Sequence, residues 1–260
     1  MLALATEFEV LLLSVTFFSS LLLVGKRCFG SFDKGSFLIS TVHAVSILIL
    51  TANVIFSECW MSTAHSCRFD SVTNSESQQL LLLFSMGYFT VDSFVVLWLV
   101  PDLSAALHHV SILVGQLSTI FYVDLGVPSQ DRILRFQGAS GYPLACFLFA
   151  AEVSAPFLNA FMSGFAPKDS RFEFISKALF AFTFLVSRLI ICPFLTFEFV
   201  MNCPNAPVIP KLVCVFVMGI SIYWSKAIIS GIVEAVTPSR LSLKEEFLLA
   251  ETNRQRLKGE

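Results

Sequence analysis

Seven long apolar stretches constrain what this chain of 260 residues can fold into. Each is at least about 17 residues long, the minimum for a helix that crosses about 30 Å of hydrocarbon. A helix also satisfies its own backbone hydrogen bonds, which lipid cannot do. Because 55% of the residues are hydrophobic and only 14% are charged, an ordinary soluble domain is excluded. The stretches are 8–24, 36–56, 80–100, 103–124, 139–163, 173–200 and 211–236.

The pattern predicts an all-α membrane protein with seven transmembrane helices, a lumenal N-terminus and a cytosolic C-terminus. Glu7 and Glu9 precede the first stretch and Lys26 and Arg27 follow it, which is the charge order of a retained helix with its N-terminus outside. A cleaved signal peptide is the alternative. In this orientation ten Lys and Arg residues face the cytosol and three or four face the lumen. The cytosolic residues are Lys26, Arg27, Lys34, Lys168, Arg171, Arg240, Lys244, Arg254, Arg256 and Lys258, against Arg68, Arg132, Arg135 and Lys211.

Two segments outside the apolar stretches carry further signals. The loop 57–79 would lie in an oxidising lumen, where Cys59 and Cys67 pair with each other or with Cys203, or remain thiols. The tail 237–260 has a capping-box pattern and an apolar stripe, typical of a short helix on the cytosolic membrane surface. A disordered tail is the alternative. The cysteines form no CxxC or Cys/His zinc pattern, so no cysteine-based zinc site is expected. No metal site and no resident cofactor are assigned, apart from the zinc that a hydrolase would require.

Polar side chains from several helices are predicted to share a layer on the cytosolic side of the membrane. At about 1.5 Å of rise per residue, the expected depths are roughly 6–15 Å for His43, Asp92, His108, His109, Asn159 and Lys226, and roughly 17 and 22 Å for Glu152 and Arg188. Ionisable groups at such depths usually face the bundle interior or a hydrated cavity. We therefore expect these side chains to converge on one cavity.

Two adjacent histidines form the most distinctive part of this layer. Neighbours on a helix lie about 100° apart, so His108 and His109 are expected to straddle a cavity. Residues 101–102 alone join the third and fourth helices, which predicts a tight hairpin that brings Asp92 near the pair. Tyr88 lies on the same helix face as Asp92. An Asp beside an imidazole is the arrangement that a general base or nucleophilic histidine requires. The polar points expected on the cavity wall are Ser111 and Gln116.

The other polar and proline positions have structural interpretations. Pro156 leaves the carbonyl of Glu152 without its usual amide donor, and Pro193 does the same one helix later, so both helices are predicted to kink. Arg188 is expected to pair with Glu152 or Glu198 as an internal brace. Two further predictions are that Lys226 snorkels to the interface and that His43 is a hydrogen-bonded core residue.

Several segments together resemble the TLC-domain family, the multipass proteins that include ceramide synthases. These segments are STVHA (40–44), GYFTVD (87–92), LHHVSILVG (107–115), AEVSAPFLN (151–159), FLVSRLIICPFL (184–195) and YWSK (223–226). The resemblance implies a six-helix bundle around a central lipid cavity over 35–236, preceded by one helix and a cytosolic loop over 1–34. It also implies location in the endoplasmic reticulum. In ceramide synthases the paired histidines serve acyl transfer, which carries over here to His108 and His109.

One departure from the family pattern separates the possible functions. Ceramide synthases follow their histidines with a longer motif containing an HD pair and a further Asp, which this chain lacks, so it is closer to the other TLC-domain proteins. The first hypothesis is a protein of lipid homeostasis that binds or senses a lipid in the cavity. The second is an acyltransferase that uses acyl-CoA as co-substrate, with Asp92 orienting a histidine. The third is a zinc hydrolase whose ligands are His43, His108 or His109, and Asp92. The expected partners are a membrane lipid, acyl-CoA for the transferase and a second copy in a homodimer, but not nucleic acid.

Overall fold

The computed structural model describes residues 2–56, 74–120, 141–164, 167–204 and 206–237. These ranges are helical and contain no strand. The helices are α1 (Leu2–Phe29), α2 (Phe32–Asn53), α3 (Glu76–Phe94), α4 (Leu103–Ile120), α5 (Gly141–Glu152), α6 (Ala155–Met162), α7 (Arg171–Val186), α8 (Cys192–Asn202) and α9 (Val208–Val236). Two π-helical segments of five residues, Val95–Leu99 and Ser187–Ile191, follow α3 and α7, and residues 54–56 after α2 are also π-helical.

Within the described ranges, seven helical segments are long and apolar enough to cross a membrane, which confirms the predicted helix count and fold class. They are Thr6–Phe29, Phe32–Phe56, Glu76–Leu99, Leu103–Ile120, Gly141–Met162, Arg171–Asn202 and Val208–Glu234. The first segment runs past its predicted end because the long side chains of Lys26 and Arg27 can reach the interface from the last turn. The orientation of the termini stays a prediction.

Serine side chains mark where several of these helices begin. Ser31 accepts a hydrogen bond from the backbone of Lys34 and so caps α2. Ser75 and Gln78 form a reciprocal capping box at the start of α3. Such caps satisfy amide groups that the first turn of a helix leaves without partners.

Prolines interrupt the fifth and sixth spans, as the sequence predicts. A turn at Val153 and Ser154 separates α5 from α6, and Pro156 lies in the first turn of α6. In the sixth span, Pro193 lies at the start of α8, directly after the π-helical segment Ser187–Ile191. Each proline lacks the amide that would continue the hydrogen-bond ladder of the preceding helix.

The chain divides into two compact units, 1–222 and 223–260. In the first unit α3 is the most enclosed span, and side chains from α1, α2 and α4 pack around it. The fully buried core of this unit includes Phe18, Ile39, Ile47, Leu82 and Phe89. The second unit is described for 223–237, where it continues as helix to Val236. Predictions for Cys59, Cys67 and the tail helix lie outside the described residues. The predicted domain boundaries at 34 and 236 stay predictions.

Candidate functional site

The carboxylate of Asp92 is the centre of a buried polar cluster between three helices. Tyr88, one turn earlier on α3, donates its hydroxyl to Asp92 Oδ2 at 2.9 Å. Ser36 of α2 donates to Oδ1 at 3.1 Å. His109 of α4 places Nδ1 3.3 Å from Oδ2. Asp92 is only 3% exposed, so these neighbours replace the water that a buried carboxylate loses.

The short connection between α3 and α4 produces this arrangement. Val100, Pro101 and Asp102 are all that lies between the π-helical segment and α4, so the two spans are neighbours and antiparallel. The predicted proximity of Asp92 and His109 is confirmed. The role of that pair in chemistry stays a prediction.

A second row of polar groups surrounds His43, which is fully buried on α2. Its Nε2 lies 3.2 Å from Ser85 Oγ, and its Nδ1 lies 3.8 Å from Glu152 Oε2. Gln116 of α4 donates its side-chain amide to Ser85 at 2.9 Å. The His43 ring stacks on Tyr88 at 3.9 Å between centroids and 12° between planes. This stacking connects the row to the Asp92 cluster.

Ser85, His43 and Glu152 follow one another as the serine, histidine and acid of a hydrolytic triad do. The serine, however, is not accessible to a substrate. A triad serine must reach the substrate carbonyl carbon. Ser85 and His43 are both 0% exposed, and the Gln116 amide covers the serine oxygen. We therefore assign this row a structural role, in which Ser85 serves as hydrogen-bond partner to both His43 and Gln116.

Arg188 does not form the ion pair that the sequence predicted. Its Nη1 donates to Ser221 Oγ at 3.3 Å and its Nη2 to the carbonyl of Ala151 at 3.2 Å. Among the described residues no carboxylate oxygen lies within 4.0 Å of its guanidinium. The prediction was wrong because both acids face elsewhere. Glu152 faces His43, and Glu198 accepts a hydrogen bond from Asn202 at 2.8 Å.

A cavity of about 60 Å³ lies between α4, α5, the sixth span and α9. Its wall is mostly apolar, with Ile112 from α4 and Leu148 from α5 among its lining residues. The polar lining residues are Gln116, Arg188, Thr196 and Ser221. All lining residues belong to the unit 1–222. Small ligand sites have this composition, an apolar wall with a few polar groups.

The residues predicted for one site fall into separate groups. A connected network joins six of them, which are His43, Tyr88, Asp92, His109, Gln116 and Glu152. Of the predicted residues, Gln116 and Arg188 line the cavity. Asn159 donates to Ser40 at 2.9 Å, and Ser111 donates to the Leu107 carbonyl of its own helix. Lys226 lies in the second unit with an exposed side chain.

His108 is buried, and its ring centroid lies 5.5 Å from that of His109. It does not line the cavity, but Ile112 and Gly115, four and seven residues further along α4, do. Residues at these spacings share one helix face. The cavity therefore begins about one turn from His108 along the same face of α4.

The sequence did not point to the serines that complete these networks. Ser36, Ser40, Ser85 and Ser221 each contact a predicted site residue. Serine is common in helices of this chain, and an isolated hydroxyl gives no spacing pattern. Ser36 and Ser40 lie one turn apart on α2, which is a weak signal of a polar face.

In the part of the chain that the structure describes, no group of three or more His, Cys, Asp or Glu side chains is arranged to hold a metal ion. The zinc hydrolase hypothesis thus gains no support from the geometry. Neither the curated proteins nor the solved structures give a match to this chain. The family model of the TLC domain matches residues 137–230, so the chain is similar to TLC-domain proteins from α5 through most of α9.

Proposed function

We propose that this membrane protein binds a lipid inside its helix bundle, in the cavity between α4, α5, the sixth span and α9, and acts in lipid homeostasis. The observation that carries the proposal is the cavity itself, whose apolar wall contains the buried polar groups of Gln116 and Arg188. An acyl chain suits the wall, and a headgroup suits the polar groups. At about 60 Å³ the cavity holds only part of a lipid, so the remainder extends between helices.

The TLC-domain match supports the same proposal, because residues 137–230 contain α5, the sixth span and most of α9. The missing ceramide-synthase motif favours binding or sensing over ceramide synthesis. From the resemblance we extend the proposal to the endoplasmic reticulum membrane, and we keep a homodimer as a separate part of the proposal. His108 would then lie at one end of the bound lipid, since it precedes the cavity on α4.

Lipid retained by the purified protein tests this proposal. Ala151 lines the cavity, so Ala151→Leu fills part of it. We expect mass spectrometry to find a lipid at a fixed ratio to the unaltered protein, and at least about a threefold lower amount with Ala151→Leu, since a loss of about 0.7 kcal/mol in binding free energy suffices for that change. Ala178 is exposed on α7, so Ala178→Leu is the matched control.

The proposal fails if the protein carries no lipid beyond the detergent-solubilised background. It also fails if Ala151→Leu and Ala178→Leu retain the same lipid in the same amount, since the lipid would then be bound at the outer surface.

A second candidate function, acyl transfer from acyl-CoA, is favoured by the Asp92–His109 pair. Nδ1 of His109 lies 3.3 Å from the Asp92 carboxylate. If Nδ1 carries the ring proton toward that carboxylate, Nε2 is the ring nitrogen that can take a proton from an acceptor amine or hydroxyl. Purified protein would then consume labelled acyl-CoA in the presence of lipid acceptors, and His109→Ala would stop turnover without lowering lipid retention. Absence of turnover with a retained lipid would leave the binding function alone.

A further inference from the structure

Arg188 carries a buried positive charge for which the described chain supplies no close counter-ion. The residue is 5% exposed. Its hydrogen bonds go to neutral oxygens of Ser221 and Ala151. A guanidinium remains protonated in proteins, so its charge stays in an apolar environment, where an unpaired charge is unfavourable.

The groups around Arg188 compensate this charge only in part. Phe184 offers the face of its ring, with the guanidinium carbon 5.6 Å from the centroid, which is at the long end of cation–π contacts. The nearest acid along α5, Glu152, directs Oε2 to His43 at 3.8 Å. Glu152 interacts with the Arg188 charge only at longer range, and none of the ion pairs among the described residues includes Arg188. A bound anion would therefore supply the close counter-ion that these residues do not.

The free bonding positions at this site belong to residues of the cavity wall. Arg188 Nε is buried and has no hydrogen-bond partner among the residues that the structure describes, and the same is true of Gln116 Oε1. Both side chains line the cavity. A guanidinium has five N–H groups in a fixed plane, and Arg188 uses one from each terminal nitrogen. Donors thus remain for a group that enters the cavity.

We propose that the cavity receives the oxyanion end of an acyl lipid, a carboxylate or a phosphate, with Arg188 as its counter-ion. This inference rests on the proposed function and specifies the class of lipid. Planar guanidinium groups match carboxylate and phosphate oxygens in pairs. The amide of Gln116 supplies a second donor when it rotates by 180°, since Oε1 then accepts from Ser85 and Nε2 faces the cavity.

The apolar part of the wall explains why the anion belongs to a lipid. Ile112, Leu148, Val213 and Met218 line the same cavity, and they would strip water from a small hydrophilic anion without replacing its hydrogen bonds. An acyl chain gains free energy from the same surface. A neutral alcohol of equal chain length fits the wall but leaves the guanidinium without a counter-ion.

A binding experiment on the delipidated protein in an uncharged detergent tests the inference. The probes are a fatty acid of sixteen carbons, the corresponding fatty alcohol and a phosphatidic acid, at a pH where the acids are ionised. We expect at least one of the two acids to bind at least about tenfold more tightly than the alcohol, the factor for about 1.4 kcal/mol from charge-assisted hydrogen bonds. Preference for the fatty acid or the phosphatidic acid identifies the source of the oxyanion.

Variants of Arg188 connect that preference to the guanidinium. Arg188→Gln is expected to reduce the acid-to-alcohol ratio to about threefold or less, and Arg188→Lys to keep part of it as a point charge. Lys177 is an exposed base on α7 that pairs with Glu173, so Lys177→Gln controls for loss of one positive charge. If Arg188→Gln does not fold, the acid and alcohol comparison on the unaltered protein decides the question.

Failure of this inference is distinct from failure of lipid binding. Equal affinity for acids and alcohol overturns the oxyanion assignment and leaves the proposed function standing. An acid preference that survives in folded Arg188→Gln also overturns it. Binding of none of the three probes, together with no lipid retained on purification, overturns both.

Discussion

At the residue scale, Asp92 shows how a carboxylate is accommodated inside a membrane bundle. Both of its oxygens have neighbours, Ser36 on one and Tyr88 with His109 on the other. These neighbours come from three helices, so Asp92 also fixes how α2, α3 and α4 meet. The Asp92 carboxylate therefore contributes both to the stability of the bundle and to the orientation of His109.

A double-mutant cycle separates the Asp92–His109 interaction from these other contacts. We expect Asp92→Asn and His109→Gln to show a coupling free energy of about 0.5–3 kcal/mol, because the effects of substituting two residues in direct contact are not additive. The measurement is thermal or denaturant unfolding of the single and double variants in detergent. The matched cycle uses His108→Gln, whose ring starts about 100° further round α4 and is expected to couple less strongly. Equal coupling for both histidines would contradict the pairing.

At the element scale, α4 depends on a cap at the entrance of the hairpin. Asp102 Oδ1 accepts hydrogen bonds from the backbone amides of Ser104 at 2.9 Å and Ala105 at 3.0 Å. The hydrogen bond from Ala105, with those from Ser104, lowers the pKa of Asp102 below its ordinary value of 3.8. Since the ionised form is the better acceptor, the cap holds the first turn of the helix that carries both histidines.

Asp102→Ala is expected to lower the free energy of unfolding by about 1 kcal/mol through loss of the cap, and Asp102→Asn by less, because Asn also caps helices. The lowered pKa gives the sign of a pH effect. Stabilisation from ionised Asp102 is present above pH 3.8, the ordinary value, and is lost as the pH falls through the lower folded-state pKa. As the pH is lowered from neutral to acid, the difference in the free energy of unfolding between the unaltered protein and Asp102→Ala should therefore become smaller. A constant difference across that range would contradict the capping role.

Helix existence is predictable from this sequence, whereas helix irregularity is predictable only where proline causes it. Apolar length determines each span, because the bilayer sets the length that must be crossed. The helix breaks at Pro156 and Pro193 can be predicted from the sequence, since the missing amide belongs to the proline itself. The π-helical segment Val95–Leu99 contains no proline. Without a proline, no local feature of the sequence predicts this segment.

At the scale of the whole molecule, the buried polar networks depend on packing between distant segments. The Asp92–His109 contact follows from a short hairpin, so the sequence predicts it. The contact between Arg188 and the Ala151 carbonyl joins helices that no short connection constrains. Hydropathy orders the helices along the chain but does not fix which neighbours each has, and this is why Arg188 was assigned the wrong partner.

The first helix is part of this packing, because α1 approaches α3 closely at one point. Ser14 donates to the Phe84 carbonyl at 2.8 Å, and Phe18 places its ring 5.5 Å from Tyr88 and 6.1 Å from His43. A Cβ at Gly87 would lie 2.9 Å from the Ser14 carbonyl carbon. Glycine at 87 therefore allows α1 to reach the side chains that support the polar networks.

Gly87→Leu is expected to push α1 away from α3 and to lower the free energy of unfolding by about 1–3 kcal/mol, the usual effect of overpacking. Gly219 on α9 is the matched control, because a Cβ there would meet nothing within 4 Å in the described part of the chain. Gly219→Leu should be neutral or stabilising by up to about 1 kcal/mol, since leucine favours helix more than glycine does. Unfolding of the purified variants measures both effects. Because Phe18 supports His43 and Tyr88, Gly87→Leu should also weaken the coupling between Asp92 and His109, and an unchanged coupling would mean that α1 packs on the bundle without supporting the network.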